Sequence, residues 1–101
     1  MNANMLKRLQ QMQKDMLQAQ KELEASIFYG TAGGKAVEVE FTGAKEMKRL
    51  TIDPDAFNFP EDLEMVQDIV VAAVNDCIGK IDEETKATMG QFSQGLNIPG
   101  L

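Results

Sequence analysis

The first 26 residues place apolar side chains at the spacing of a helix that packs along one narrow face. Residues 2–26 contain neither glycine nor proline and are rich in glutamine, lysine, leucine and methionine. Their apolar residues recur at alternating steps of four and three, which is a heptad pattern. We therefore predict a helix over residues 1–26, roughly 35 Å long at about 1.5 Å per residue. Its seam, which is predicted to contact another helix or a second subunit, consists of Met5, Leu9, Met12, Met16, Ala19 and Leu23.

Between residues 27 and 53 the pattern changes to the period of two that is typical of strands. Residues 27–29 form a short β-prone run that ends at Gly30, and residues 36–42 alternate valine and phenylalanine with glutamate. These two runs predict a hairpin with one buried face. In residues 47–52, Leu50 points to one face and Arg49 to the other, which indicates a third antiparallel strand. The sheet is predicted to end at Asp53-Pro54-Asp55, because proline lacks an amide donor.

A helical period returns at Glu61 with a broad apolar face, which predicts a core helix that covers the sheet. Its apolar positions are Leu63, Val66, Ile69, Val70, Ala73, Val74, Cys77 and Ile81. The acidic residues 82–84 interrupt this pattern, and Gly90 weakens any helix that follows. We therefore expect helices over residues 61–93, the last of them short, and a loosely ordered tail over residues 94–101. The predicted fold is α+β: one domain over residues 1–101, built from a long N-terminal helix, a three-stranded antiparallel sheet, a long core helix and a short C-terminal helix.

The charge of the chain is distributed unevenly. The formal net charge is −6: residues 1–53 carry eight basic and seven acidic side chains, and residues 54–101 carry two basic and nine acidic ones. This segregation allows a weakly basic surface on the N-terminal half of an acidic protein, although an acidic chain by itself argues against a DNA partner. No apolar run approaches the about twenty residues that span a bilayer. We expect a cytoplasmic protein without a membrane partner.

Candidate catalytic and ligand-binding residues are few. The chain has no histidine and one cysteine, which removes a histidine base and a Cys/His zinc cluster. The glycine-rich stretch from Gly30 to Lys35 lacks the first glycine and the Ser or Thr of a phosphate loop, since Tyr29 and Ala36 occupy those positions. The acidic clusters have no regular ligand pattern. We expect no enzymatic activity, no metal, no cofactor and no small-molecule substrate.

The basic residues of the first helix allow two interpretations. Lys7, Lys14 and Lys21 share one heptad position, and Arg8 lies beside it. These side chains form either a solvated face with weak ion pairs or a row of lysines that faces a ligand. At this length a single domain has limited stability, so a second subunit is plausible. The seam or a sheet edge could join two such subunits.

Six short motifs, in order along nearly the whole chain, resemble the bacterial YbaB/EbfC family of nucleoid-associated proteins. The motifs are Leu9-Gln10-Gln11-Met12-Gln13-Lys14, Val37-Glu38-Val39 after the hairpin glycines, Phe41-Thr42-Gly43-Ala44, Arg49-Leu50-Thr51-Ile52-Asp53-Pro54, Glu61-Asp62-Leu63-Glu64 leading to Val71-Ala72-Ala73-Val74-Asn75-Asp76, and Gly95-Leu96-Asn97-Ile98-Pro99-Gly100. The resemblance implies a tweezer-like homodimer whose helical arms grip double-stranded DNA in the nucleoid, with a role in gene regulation and nucleoid organisation. Carried over to this chain, the DNA-binding residues are Lys7, Arg8, Lys14, Lys21 and Lys86.

The residues favour weak sequence preference, because nothing in them is typical of a recognition helix with base-reading side chains. The sequence also allows one alternative function. The methionine-rich N-terminal helix could make the protein a docking adaptor or a chaperone-like dimer with little DNA binding, since methionine adapts to varied partners.

Overall fold

The computed structural model describes residues 3–96 of the chain, with side chains through residue 92. Helix α1 spans Ala3–Ala25, strand β1 Ile27–Ala32, strand β2 Val37–Thr42 and strand β3 Met47–Ile52. A short 3-10 turn at Pro54–Ala56 follows the sheet, and helix α2 spans Leu63–Leu96. The predicted α+β fold, with an N-terminal helix, a three-stranded antiparallel sheet and a long C-terminal helix, is confirmed.

The sheet has the order β1-β2-β3, with both neighbouring pairs antiparallel. Val39 lies opposite Gly30 on one side and Leu50 on the other, so these three residues share one face of the sheet. A register shift between Glu40 and Phe41 interrupts the pairing of β2 with β3. In the turn between β1 and β2, Gly33 and Gly34 both adopt a φ of +64°, which glycine tolerates without strain.

Strand β1 is longer than the sequence predicted, because Gly30 lies inside the strand and not at its end. The strand continues through Gly30 to Ala32. A Cβ placed on Gly30 would stand 2.6 Å from the Cβ of Cys77 in α2. Glycine is therefore needed at this position so that the helix can lie directly on the strand.

The core lies between α2 and one face of the sheet. Val37 and Val39 of β2, together with Ala73, Cys77 and Ile81 of α2, expose at most 1% of their surface. Helix α2 lies over β1 and β2. Burying an aliphatic side chain of this size stabilises the fold by about 1.5–3 kcal/mol, so these contacts fix α2 on the sheet.

Helix α2 is one continuous helix of 34 residues, which corrects the predicted break at residues 82–84 and the separate short helix after it. Asp82 is exposed and its carboxylate pairs with Lys45 at 2.8 Å, so the acidic residues are compatible with a helix. Beyond them Thr85 and Met89 lie against α1, which gives the extension a tertiary partner. Residues 94–96, predicted as tail, belong to the helix, and residues 97–101 lie outside the described residues.

Helix α1 packs along the C-terminal part of α2, and together they form an arm beside the sheet. We define the arm as α1 and residues 81–96 of α2. The molecule measures 69 × 25 × 15 Å, and its radius of gyration is 19.7 Å. A compact domain of this length has a radius of gyration of about 13 Å. The chain is therefore elongated, with a sheet body at one end and the arm at the other.

Candidate nucleic-acid interface

Lys7, Lys14 and Lys21 form a line along the outer side of α1. Successive members are seven residues apart, which corresponds to about 10.5 Å along the axis and about 20° of rotation. By the same geometry the line lies on the side of the helix opposite the seam. The three side chains are exposed. The structure thus brings these predicted site residues together as a row of ammonium groups, which we call the lysine row.

No member of the lysine row forms an ion pair within residues 3–92. The acidic side chains of α1 instead accept hydrogen bonds from glutamines one turn earlier: Gln11 Nε2 donates to Asp15 at 2.9 Å, Gln18 Nε2 to Glu22 at 3.1 Å and Gln20 Nε2 to Glu24 at 3.3 Å. The interpretation of α1 as a face laced with ion pairs is therefore not what the geometry shows. The ammonium groups are free to meet an external anion.

Arg8 and Lys86 are exposed and likewise form no ion pair among the described side chains. Arg8 follows Lys7 and lies about 100° further round α1. Lys86 lies on α2, on the side opposite the buried Ile81 and the residues that face α1. The structure therefore places Arg8 beside the lysine row and Lys86 on the other helix of the arm.

Three other lysines have acidic partners, which separates them from the lysine row. Lys45 pairs with Asp82 at 2.8 Å, Lys48 with Glu46 at 3.2 Å and Lys80 with Asp76 at 3.3 Å. Their side chains are about half exposed, so these pairs contribute little to stability. Their positive charge is nevertheless partly neutralised locally.

The seam of α1 packs partly within its own chain. Leu23 is buried, and Met12 and Met16 are half-buried where they approach Phe92 of α2. Exposure rises towards the N-terminus, to 40% at Leu9 and 52% at Met5. The seam thus contacts α2 at the C-terminal end of α1 and is largely exposed at the N-terminal end of α1.

An acid–base pair that sequence reasoning did not single out closes the outer edge of β1. Asp76 Oδ2 accepts a hydrogen bond from the Thr31 N–H at 3.0 Å, and Lys80 Nζ donates to the Tyr29 carbonyl at 3.1 Å. The hydrogen bond from Thr31 and the charge of Lys80 hold the pKa of Asp76 below its usual value. The spacing of four between Asp76 and Lys80 was visible in the sequence, but the strand edge that they contact was not.

The remaining candidates have structural roles. Burial raises the pKa of the Cys77 thiol, which packs against β1 in the core. Asp53 Oδ1 accepts a hydrogen bond from the Asp55 N–H at 3.0 Å and so stabilises the turn after β3. Within the described part of the chain there is no group of three or more side chains suited to hold a metal ion. Nor does that part contain a helix with the length and hydropathy needed to cross a bilayer.

The chain is similar to known proteins in sequence and in fold. A sequence model described as the YbaB/EbfC DNA-binding family matches residues 1–96. A nucleoid-associated protein from Oceanobacillus iheyensis is 47% identical over 98 residues, which cover 97% of this chain and 93% of the relative. One from Listeria monocytogenes is 50% identical over 83 residues, covering 82% of this chain and 78% of the relative. The crystal structure of an uncharacterized protein from Helicobacter pylori superposes with a TM-score of 0.72 at 28% identity, covering 90% of this chain and 96% of that one.

Proposed function

Since the chain belongs to the YbaB/EbfC DNA-binding family, we propose that it binds double-stranded DNA as a homodimer with weak sequence preference. The observation that carries this proposal is the lysine row. Its three ammonium groups lie on one line of an exposed helix and have no acidic partner within residues 3–92. Such groups can neutralise backbone phosphates and release the counterions that surround DNA.

Weak sequence preference follows from the chemistry of the row. Lysine is a flexible point charge that binds phosphate without reading the base edges, and phosphate contacts carry no sequence information. Two of the glutamines on α1, Gln11 and Gln18, already donate their amides to acidic neighbours. We therefore expect similar affinity for unrelated duplexes of equal length.

A homodimer would raise the affinity of this weakly basic surface for DNA. A single row offers few phosphate contacts, and the chain as a whole carries a net charge of −6. Two-fold symmetry would present two rows to one duplex, as in a tweezer-like dimer whose arms hold the DNA between them. Binding through two linked rows exceeds the affinity of either row alone.

We further propose a cytoplasmic, nucleoid location and a role in nucleoid organisation and gene regulation, with no catalytic activity. The relatives from Oceanobacillus iheyensis and Listeria monocytogenes bear the description nucleoid-associated protein, which supports the location. Weak sequence preference suits an architectural role, because binding at many sites requires recognition of the backbone and not of one sequence.

The proposal is tested by fluorescence anisotropy with a labelled duplex at low and at physiological salt. We expect saturable binding whose logarithm falls with the logarithm of salt concentration at a slope of about −0.9 per phosphate contact. The variant Lys7→Ala/Lys14→Ala removes two members of the lysine row and should bind more weakly, with a shallower slope. The matched control is Lys45→Ala/Lys48→Ala, which changes the net charge equally but removes lysines that have acidic partners.

Two results would overturn the proposal. One is an absence of binding at low salt, and the other is an equal loss of affinity in both double variants. The first result would favour the protein-docking alternative, which has its own supporting observation. Leu6 and Leu9 near the N-terminus of α1 are 50% and 40% exposed, an apolar surface that suits a protein partner. Under that alternative the lysine variants would leave partner binding unchanged.

A further inference from the structure

The two helices of the arm do not end at the same level. They run antiparallel, since Met89 of α2 lies near Leu23 of α1, and Phe92, three residues later, lies near Met12. Helix α2 ends at Leu96, about one turn beyond Phe92. The first two turns of α1 therefore extend past the end of α2.

An apolar groove opens between the helices just before α2 ends. The groove has a volume of about 210 Å³, which admits a branched aliphatic side chain. Four of its five lining side chains are apolar. We call it the arm groove, and its lining consists of Leu9, Met12, Gln13, Met16 and Phe92.

The apolar surface continues from the arm groove towards the N-terminus of α1. Leu6 lies seven residues before Gln13 and therefore on nearly the same line of the helix. Leu6 and Leu9 are 50% and 40% exposed. Short helical segments gain most of their stability from packing against other parts of the protein. A segment that covers the groove and Leu6 would therefore stabilise the turns of α1 that carry Lys7 and Arg8.

Residues 97–101, which lie outside the described residues, have the composition and the length to cover this surface. They carry no charged side chain and consist of Asn97, Ile98, Pro99, Gly100 and Leu101. Because Pro99 lacks an amide and disfavours a helical conformation at Ile98, continuation of α2 far past Leu96 is unfavourable. Five extended residues span about 17 Å at about 3.3 Å each, whereas two turns of helix rise by about 11 Å.

We propose that residues 97–101 dock along α1, with Ile98 in the arm groove and Leu101 near Leu6. A segment joined directly to α2 has an effective concentration of the order of millimolar, which favours it over a separate apolar partner. The arm groove lies on the seam side of α1, so the docked segment leaves the lysine row on the opposite side accessible. Composition alone predicts a loose tail, and the groove beside the end of α2 gives that tail a binding site.

Hydrogen exchange of the full chain, measured by mass spectrometry without DNA, tests the contact. In Ile98→Asp a carboxylate would have to enter an apolar groove, which is strongly unfavourable, so the segment should be released. The amides of residues 7–12, the first in α1 with partners inside the helix, should then exchange about tenfold faster than in wild type, the factor that about 1.4 kcal/mol produces. Asn97→Asp is the matched control, because it adds the same charge outside the groove and should leave this exchange unchanged.

Equal exchange of residues 7–12 in wild type and in Ile98→Asp overturns the proposal, as does equally faster exchange in both variants. Circular dichroism checks that each variant is folded. The readout does not depend on DNA. A protein whose residues 97–101 dock on α1 and that yet binds no duplex would contradict only the proposed function.

Disulfide formation under mild oxidation tests the position of the segment directly. Gln13→Cys, which lines the arm groove, should form a disulfide within one chain when it is combined with Ile98→Cys. Gln11→Cys, about 160° round α1 from Gln13, is the matched control and should not form it. Cys77 is fully buried and does not compete. Equal yields from the two pairs overturn the proposal, and so do covalent dimers from the Gln13 pair, because the segment would then occupy the groove of a second copy.

Discussion

Gly30 of β1 lies directly beneath Cys77 of α2, so close that a Cβ on Gly30 would stand 2.6 Å from the Cβ of Cys77. Native packing does not tolerate such a distance, and the substitution Gly30→Ala must displace the helix from the strand. Overpacking of this kind costs about 1–3 kcal/mol, so we expect the unfolding free energy to fall by that amount. Urea denaturation followed by circular dichroism measures the change.

The control for Gly30→Ala is Gly79→Ala, on the same helix as Cys77. A Cβ on Gly79 would meet no atom within 4 Å. Alanine favours a helix by about 0.5–1 kcal/mol over glycine, so this variant should be more stable than wild type. If both alanine variants lost stability equally, the close approach at Gly30 would not be the cause.

The hydrogen bond from Thr31 to Asp76 makes the stability of the sheet edge depend on pH. The pKa of Asp76 is lower in the folded protein than its usual value of 3.8. Its carboxylate therefore contributes stability above that value, and the contribution is lost as the pH falls through the folded-state pKa. In Asp76→Asn the carboxylate is absent at every pH, so thermal stability should be lower at pH 7 and should fall less steeply between about pH 5 and pH 2.

Asp68→Asn provides the comparison for this experiment, because Asp68 lies on the same helix and is exposed without a hydrogen bond or ion pair among the described residues. Its melting temperature at pH 7 should be close to that of wild type. Equal acid sensitivity of Asp76→Asn and wild type would show that other carboxylates determine the acid transition.

Sequence patterns predict a helix or strand correctly where the pattern within that element alone determines its structure. The heptad spacing gives α1 and the alternation of Val37, Glu38 and Val39 gives β2, because each pattern reports which side of one element is buried. The role of Gly30 within β1 could not be predicted in this way. A glycine inside a strand and a glycine after a strand look alike until the helix that lies on it is known.

The candidate site likewise combines features that the sequence predicts with features that only the structure shows. The positions of Lys7, Lys14 and Lys21 on one line follow from their spacing. The absence of ion pairs on α1 does not follow from the sequence, because Glu24 follows Lys21 by three, a spacing that allows a pair. The continuity of α2 past Asp82 does not follow from it either, because it depends on contacts with α1 and Lys45 that are distant in sequence.

Cys77 should be unreactive in the folded protein. Its side chain is fully buried, and burial raises the pKa of the thiol, so little thiolate is present or accessible at neutral pH. We expect its reaction with a disulfide reagent at pH 8 to be much slower than in denaturant, with a rate set by opening of the structure. Equal rates in both conditions would contradict the buried position.

Removal of acidic charge from α1 should strengthen DNA binding. Asp15 and Glu22 lie on the same helix as the lysine row, and their carboxylates accept hydrogen bonds from Gln11 and Gln18, which do not neutralise them. A unit charge about 10 Å from a phosphate in water opposes binding by about 0.4 kcal/mol, so Asp15→Asn/Glu22→Gln should tighten binding about twofold per substitution at low salt. The effect should shrink as salt is raised, because screening shortens the range of the repulsion. Anisotropy titrations of this variant and of Glu64→Gln/Asp68→Asn, which removes the same charge from α2, separate a local effect of α1 from a general effect of net charge.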